Sequence, residues 1–183
     1  IMPSLVGSEM CIRDSMRAGH TVRGFDLSEP AMHAAAEAGV TTCASAAEAL
    51  EGAEVVFTML PKGEHSLAAY GGDEGIFATA APGTLLIDSS TIDVASCQQL
   101  HDRARETGFE FVDAPVSGGI AGAEKGTLAF MVGGEAAAVE KARPFIEPMA
   151  GNVIATGAPT TGQAAKICNN LMPVSYTHLT LPT

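Results

Sequence analysis

The sequence predicts an α/β protein built on a doubly wound, mainly parallel sheet. Short apolar runs alternate with longer amphipathic stretches from about residue 21 onward, and this alternation is typical of βαβ units. Several apolar runs lack a polar side, as expected of strands that helices cover on both faces. Polar residues follow some of these runs, and ligands bind at the carboxyl ends of strands in such sheets.

The first predicted unit lies between residues 21 and 42. The segment 21–26 predicts a short strand, and 29–38, which is rich in Ala, predicts a helix. Gly39 ends that helix, because glycine commonly follows the last helical turn. The segment 40–42 then predicts a second, weak strand.

The second unit is bounded by a capping residue and a proline. Ser45 can cap a helix over residues 46–50, with Glu48 at its third position. The segment 54–60 is apolar on both faces, so it predicts a buried strand that Pro61 ends.

The remaining units repeat this order. Asp93 can cap a helix that runs to Arg105, and Gly108 leads into the strand that follows. The further predicted strands are 83–88, 109–113, 127–132 and 152–155, and the further predicted helices are 136–149 and 160–172.

Composition excludes several classes of function. The 183 residues carry a formal net charge of −11 with no basic cluster, which disfavours nucleic acid and anionic membranes as partners. No run approaches the ~18 apolar residues of a membrane span, and no signal-like segment is evident, so we expect a cytoplasmic protein. The four cysteines show no Cys-x-x-Cys and no His partner at ligand spacing, so we expect neither disulfides nor a metal site, and we expect buried thiols.

The last predicted helix places two polar side chains on one face. Lys166 and Asn170 are separated by four residues, which is about one helical turn. Gly162, one turn before Lys166, would let a substrate or another backbone approach. A lone lysine is more often a solvated charge, so this spacing leaves a structural and a functional interpretation open.

Four motifs in sequence order resemble one enzyme family. They are Leu85–Asp93 (LLIDSSTID), Asp113–Gly119 (DAPVSGG), Phe130–Gly134 (FMVGG) and Gly162–Asn170 (GQAAKICNN). Together they closely resemble the 3-hydroxyisobutyrate dehydrogenases, which belong to the β-hydroxyacid dehydrogenases. The resemblance covers residues 16–172.

The resemblance implies an NAD-dependent oxidation of a short 3-hydroxy acid to its semialdehyde, such as methylmalonate semialdehyde. It implies that Lys166 transfers the proton as general acid or base, and that Asn170 hydrogen-bonds the substrate. Ser117, Gly118 and Gly119 match the stretch that binds the substrate carboxylate. A turn before the next helix is the plain structural alternative for the two glycines.

The resemblance also implies a cofactor site for NAD. Asp26 matches the acid that binds the adenosine ribose hydroxyls, and no arginine that could bind a 2′-phosphate follows it. Leu60 and Pro61 match the loop on the adenine side, and Thr91 matches a position near the nicotinamide. His65 lies four residues after Pro61, and either a cofactor contact or a solvent-facing position is compatible with the sequence.

Both ends of the sequence depart from the family. No two glycines are two positions apart, so the phosphate-binding Gly-x-Gly-x-x-Gly is absent, and residues 1–15 show no long apolar strand. Residues 173–183 break the helical pattern at Pro173. Both terminal peptides resemble translated adapter sequence. We therefore expect non-native ends at 1–15 and 173–183, an incomplete Rossmann-like domain at 16–158 and the start of an interdomain helix at 159–172.

On this interpretation the chain lacks the first strand of its sheet and the helical domain through which relatives assemble as homo-oligomers, and we expect the chain alone to be inactive. A tartronate- or succinic-semialdehyde reductase of the same superfamily is the nearest alternative, since these motifs are broadly shared. A non-catalytic dinucleotide-binding remnant is the alternative from another class, and a true short protein with divergent ends is also open.

Overall fold

The structure is a computed structural model that describes residues 8–179. Its α-helices are α1 Ser8–Arg17, α2 Glu29–Glu37, α3 Ala46–Leu50, α4 Gly63–Tyr70, α5 Ile76–Thr79, α6 Val94–Thr107, α7 Gly119–Glu124, α8 Ala136–Ile146 and α9 Thr161–Leu179, with one turn of 3-10 helix at Glu147–Met149. Its strands are β1 Arg23–Gly24, β2 Thr41–Thr42, β3 Val55–Thr58, β4 Leu85–Asp88, β5 Glu110–Asp113, β6 Val116–Ser117, β7 Leu128–Gly134 and β8 Ala150–Gly157.

The strands form two sheets. The larger has the order β3-β4-β5-β7-β6, and β8 pairs with β7. Pairing is parallel between β3, β4 and β5 and between β7 and β8, whereas β7 runs antiparallel to β5 and β6. Strands β1 and β2 form a separate parallel pair. The predicted α/β class with a mainly parallel sheet is confirmed.

Helices cover both faces of the larger sheet, and alternate residues of its strands pack against the helices on opposite faces. Leu85 and Ile87 of β4 pack in a cluster with α8, whereas Leu86 packs in a second cluster with Tyr70 and Leu100 of α4 and α6. All of β4 is buried, as the sequence predicts for a strand without a polar face.

Local capping explains several of the helix boundaries. Ser45 accepts a hydrogen bond from the backbone N–H of Glu48, and α3 covers residues 46–50 as predicted. Asp93 accepts one from the N–H of Ser96 at the start of α6. Gly108 ends α6 with φ of 79°, a left-handed conformation that glycine adopts without strain.

The register of the sheet aligns three polar side chains at one edge. Thr58 of β3 lies opposite Asp88 of β4, and Asp88 lies opposite Asp113 of β5. All three strands run in the same direction, so these residues share the carboxyl edge of the sheet. All three are almost fully buried.

One prediction about the ends needs correction. Residues 1–15, where the sequence shows no long apolar strand, contain the start of α1 at Ser8, and Ile12 packs against Ala35 and Val40. The sequence predicts that the last helix ends before Pro173, but α9 continues to Leu179. A proline removes only one backbone hydrogen bond, and the turns that precede it hold the helix. The remaining residues of the expected non-native ends, 1–7 and 180–183, lie outside the described residues.

Strands β1 and β3 face a cavity of about 530 Å³. Its lining includes residues 21–26 and 52–57, together with Ile12 of α1. In the described part of the chain, β1 pairs only with β2, and the pair stays apart from the larger sheet. No helix in that part is long and apolar enough to cross a membrane.

Candidate active site

Lys166 lies in α9 and is 9% exposed. Burial disfavours its charged form and therefore lowers the pKa of the ammonium below its usual value. No ion pair in the described part of the chain includes Lys166. A buried lysine without a carboxylate partner is suited to proton transfer, because its neutral form is accessible nearer to neutral pH.

The side chain that follows Lys166 by one turn is Asn169. Its Oδ1 accepts a hydrogen bond of 2.9 Å from the hydroxyl of Ser117, which lies in β6. Asn170, the residue that the sequence predicts for the site, is exposed. Spacing alone could not separate them, because residues three and four positions after Lys166 both project near it.

The glycines after Ser117 have backbone conformations that other residues rarely adopt. Gly118 has φ of 135° and Gly119 has φ of 59°. A Cβ on Gly118 would lie 3.1 Å from the side chain of Leu128, whereas one on Gly119 would meet nothing within 4 Å. Gly118 thus supports both the turn and its packing, and Gly119 leaves open space at the start of α7.

Asp113 anchors the beginning of α9. Its Oδ1 bonds to Nε2 of His101 at 2.8 Å and accepts from the N–H of Thr160 at 3.0 Å, and its Oδ2 accepts from the N–H of Gln163 at 2.9 Å. Free N–H groups at a helix start attract a carboxylate. The sequence is compatible with Asp113 capping a turn or helix that directly follows it, but the structure shows that it caps α9, whose N–H groups lie 47 and 50 positions further along the chain.

Two glycines allow α9 to approach the sheet this closely. A Cβ on Gly162 would lie 2.5 Å from the carbonyl oxygen of Met131 and 2.7 Å from that of Asp113. A Cβ on Gly133 would lie 2.6 Å from the N atom of Gly162. The sequence predicts that either a substrate or another backbone approaches Gly162. In the structure it is another backbone that lies close to this glycine.

Cys97, His101 and Asp113 form a buried group whose potential ligand atoms lie within 4.8 Å of one another. Cys97 and His101 are four residues apart on α6, so the prediction that no histidine lies at ligand spacing from a cysteine is wrong. Both oxygens of Asp113 already accept hydrogen bonds, and burial raises the pKa of the Cys97 thiol. We therefore interpret the group as a hydrogen-bonded support for α9. Cys43 is also buried, but Cys168 is exposed, contrary to the expectation of buried thiols.

A second buried network lies under the loops that follow β3 and β4. Oδ1 of Asp88 accepts hydrogen bonds from the Thr58 hydroxyl and from both the N–H and the hydroxyl of Ser90. The N–H of Leu60 donates to the Ser90 hydroxyl at 2.7 Å. Burial raises the pKa of Asp88, although the hydrogen bonds from Ser90 and Thr58 act in the opposite direction. The network therefore fixes Leu60 relative to residues 89–91.

Asp26 follows β1 and is buried, with 8% exposure. Its Oδ1 accepts a hydrogen bond of 2.7 Å from the N–H of Ser28, which caps α2. Its Oδ2 has no hydrogen-bond partner among the described residues. An unsatisfied buried carboxylate oxygen is costly, and a ligand hydroxyl would satisfy it.

The other residues predicted to bind cofactor differ in exposure. Leu60 is buried, whereas Pro61 and Thr91 are exposed. The His65 side chain is half exposed, and its Nε2 lies 3.9 Å from a Glu64 carboxylate oxygen. Hydrogen bonds link the loops of Leu60 and Thr91 through Ser90, but none in the described part of the chain links either loop to Asp26.

Comparison with known proteins places the chain in a family. The family model described as the NAD binding domain of 6-phosphogluconate dehydrogenase matches residues 4–157. The chain is 50% identical over 155 residues to a probable 3-hydroxyisobutyrate dehydrogenase of Mycobacterium tuberculosis, covering 85% of this chain and 52% of that protein. It is 47% identical over 155 residues to an NAD-dependent L-serine dehydrogenase of Pseudomonas aeruginosa, with the same two coverages.

A solved structure is similar over most of the chain. It is the 3-hydroxyisobutyrate dehydrogenase of Mycobacterium tuberculosis with L-serine, with a TM-score of 0.87 and 47% identity. The match covers 91% of this chain and 56% of that one. The chain thus spans about half the length of the curated relatives it matches, and the resemblance on which the site was predicted is confirmed. The chain belongs to the family of NAD-binding domains typified by that of 6-phosphogluconate dehydrogenase.

Proposed function

We propose that this chain is the cofactor-binding part of an NAD-dependent dehydrogenase that oxidises short 3-hydroxy acids, with Lys166 as the general acid and base. The family supplies the NAD site, and the names of several relatives supply the class of substrate.

One observation carries the proposal. Lys166 is buried without an ion-pair partner among the described residues, and Asn169, one turn further along α9, holds the Ser117 hydroxyl at 2.9 Å. The lysine therefore lies near a polar pair at the position where the family motifs converge. A lysine that served only as a solvated surface charge would be exposed.

Different described residues transfer the proton and bind the substrate. Neutral Lys166 accepts the hydroxyl proton during oxidation, and protonated Lys166 returns it to the carbonyl oxygen during reduction. Ser117 and Asn169 provide hydrogen bonds to the substrate, and Gly119 leaves room for its carboxylate. Asn170, which is exposed on the same helix, is a further proposed substrate contact.

The Asp26 carboxylate fits the cofactor on the adenosine side. Its unpartnered Oδ2 can accept a hydrogen bond from a ribose hydroxyl, while a 2′-phosphate would meet its negative charge. Leu60, Pro61 and Thr91 line the loops on which the rest of the dinucleotide would lie, and His65 is a weaker proposed contact. NAD, when bound, supplies the acceptor for the hydride that leaves the substrate carbon.

The test uses a chimera, because the chain spans about half of its relatives. Residues 16–172 replace the matching segment of the Mycobacterium tuberculosis relative, and NAD reduction is measured with 3-hydroxyisobutyrate. We expect turnover by the chimera and none by the 183-residue chain. A folded chimera that binds NADH without oxidising any 3-hydroxy acid would instead support a non-catalytic dinucleotide-binding module.

L-Serine is a second candidate substrate, because it is also a 3-hydroxy acid. One relative is named for its dehydrogenation, and the similar solved structure contains it. The same assay compares kcat/KM for L-serine and 3-hydroxyisobutyrate. Including tartronate and succinic semialdehydes in the reductive direction tests the remaining alternative, and a preference for either would replace our proposed substrate.

A further inference from the structure

The Gln163 side chain connects α9 to the segment that follows β4. Gln163 is fully buried in the first turn of α9. Its Oε1 accepts a hydrogen bond of 3.1 Å from the N–H of Ile92, and its Nε2 donates one of 2.7 Å to the carbonyl oxygen of Ser90. One acceptor and one donor are needed at these two positions, and a primary amide supplies both.

Hydrogen bonds to Asp88 and Leu60 also fix the Ser90–Ile92 segment that Gln163 contacts. The N–H of Ser90 donates a hydrogen bond to Asp88, and the Ser90 hydroxyl accepts one from the N–H of Leu60. Gln163 therefore contacts the point that joins the loop after β3 to the loop after β4. Thr91 lies between the two backbone groups that bond to Gln163, with its side chain exposed.

Gln163 is also held from its own backbone. Its N–H donates to Oδ2 of Asp113, and the N–H of Thr160 donates to Oδ1. Thr160 has φ of 72°, an unusual value for a residue other than glycine. The backbone N–H groups at the start of α9 thus bond to the Asp113 side chain of β5. The Gln163 side chain bonds to the Ser90–Ile92 segment. Lys166 follows Gln163 by three residues.

We propose that Gln163 is a positioning residue that sets the Lys166 side chain relative to the Ser90–Ile92 segment, which carries Thr91. The proposal rests on the proposed function, in which Thr91 lies near the nicotinamide and Lys166 exchanges the substrate proton. Hydride and proton leave neighbouring atoms of one substrate, so the two segments must keep a fixed separation. Gln163 does this without contacting substrate or cofactor.

The first test compares two glutamine substitutions in the 183-residue chain. Gln163→Met keeps the length of the side chain and removes both hydrogen bonds, and Gln99→Met makes the same change on the exposed side of α6. We expect Gln163→Met to speed amide exchange at Ile92 by about tenfold or more, and to raise the Lys166 pKa, measured by NMR, as the lysine becomes hydrated. We expect Gln99→Met to change neither.

A second substitution keeps the test valid if the methionine variant fails to fold. The protonated carboxyl introduced by Gln163→Glu can accept from Ile92 and donate to Ser90, but the ionised form places an oxygen against the Ser90 carbonyl. We expect native-like Ile92 exchange and Lys166 pKa at acid pH, and a change in both as the carboxyl ionises. Neither the native chain nor Gln99→Glu should show this transition.

The chimera supplies the kinetic readout. We expect Gln163→Met to lower its kcat by about tenfold to a hundredfold, with a smaller change in the KM for NAD. If the substitutions lower Tm but leave Ile92 exchange and the Lys166 pKa unchanged, Gln163 is only structural and the proposal is wrong. If the unsubstituted chimera is inactive, the proposed function fails, but the two readouts on the chain still decide the role of Gln163.

Discussion

The surroundings of Asp113 and of Asp26 differ in how completely their polar groups are paired. Both oxygens of Asp113 are bonded, and its partners come from α6 and from the start of α9. Asp26 uses one oxygen on the neighbouring Ser28 N–H, and its other oxygen has no partner among the described residues. Both residues are buried; Asp113 is the last residue of β5, and Asp26 lies two residues after β1.

The sheets around these residues differ in the same way. Asp113 ends a central strand of the larger sheet, with β4 on one side and β7 on the other. Asp26 follows a two-residue strand whose only described partner is β2, next to the cavity between β1 and β3. Both oxygens of Asp113 are thus bonded within the protein, whereas Oδ2 of Asp26, like Oδ2 of Asp88, has no partner among the described residues.

The largest expected effect tests whether the region supported by Asp113 is catalytic. Lys166→Ala in the chimera should lower kcat by about 10²–10⁴-fold with little change in NADH affinity, because it removes proton transfer. Lys141→Ala, on the exposed side of α8, is the matched control and should retain full activity. Equal losses of turnover and of NADH binding would show that Lys166 is structural.

The pH dependence of kcat also tests whether Lys166 is the base. Burial lowers the pKa of Lys166, so the neutral base needed for oxidation forms below the usual lysine range. We expect kcat for oxidation to rise with pH through an apparent pKa below 10.5, the usual value. A profile governed by a group above that value would contradict the assignment of Lys166 as the base.

The next largest effect tests whether Asp113 is a support. Asp113→Asn leaves an amide N–H₂ facing a donor at the start of α9, so the free energy of unfolding should fall by about 3 kcal/mol. Asp102→Asn, on the exposed side of α6, should change it by less than about 0.5 kcal/mol. Urea unfolding measures both changes. If Asp113→Asn lowers the free energy of unfolding no more than Asp102→Asn does, Asp113 is not a structural support for α9.

Asp26 should show the opposite behaviour. Asp26→Asn can keep the hydrogen bond to Ser28, so stability should change little, whereas the Kd for NADH should rise about tenfold in the chimera. Discrimination against NADPH should weaken, because the negative charge is gone. Glu37→Gln on the exposed end of α2 controls for net charge, and an unchanged cofactor preference in Asp26→Asn would refute the ribose contact.

The smallest effect concerns a local cap outside both regions. Hydrogen bonds from the side chain and backbone of Ser96 lower the pKa of Asp93, the N-cap of α6. Its folded-state pKa lies below its unfolded value, so its contribution to stability is present at neutral pH and is lost as pH falls through the folded pKa. Asp93→Ala should cost about 1 kcal/mol at pH 7 and less at pH 3, by urea unfolding, and a constant difference would contradict the cap.

The sequence predicted the elements whose signals are local. The helix over residues 46–50 follows from Ser45 and Glu48, and the buried strand β4 follows from a run with no polar face. The helices α4, α5 and α7 were not predicted, because none of them begins at a residue whose side chain caps the helix. The two-residue strand β6 is too short to show a periodic pattern. Such elements form where tertiary contacts hold them.

The candidate site was predictable in part. The motifs and the spacing on α9 predicted Lys166, Ser117 and Asn170 as site residues, and the structure shows that Asn169 bonds to Ser117. One residue along a helix turns a side chain by about 100°, so only the docking of α9 on the sheet selects between them. Gln163 carried no signal, since its partners Ser90 and Ile92 are more than 70 positions away in the chain.

The sequence by itself determined the fold class, the order of the main strands and helices, and the family motifs that point to an NAD-dependent dehydrogenase. These depend on hydrophobic patterning, caps and short motifs, which act over a few residues. Only the tertiary structure decided that Asp113 holds α9, that Asp26 keeps a spare oxygen and that burial lowers the Lys166 pKa. Each of these depends on segments far apart in the chain that become neighbours when the sheet forms.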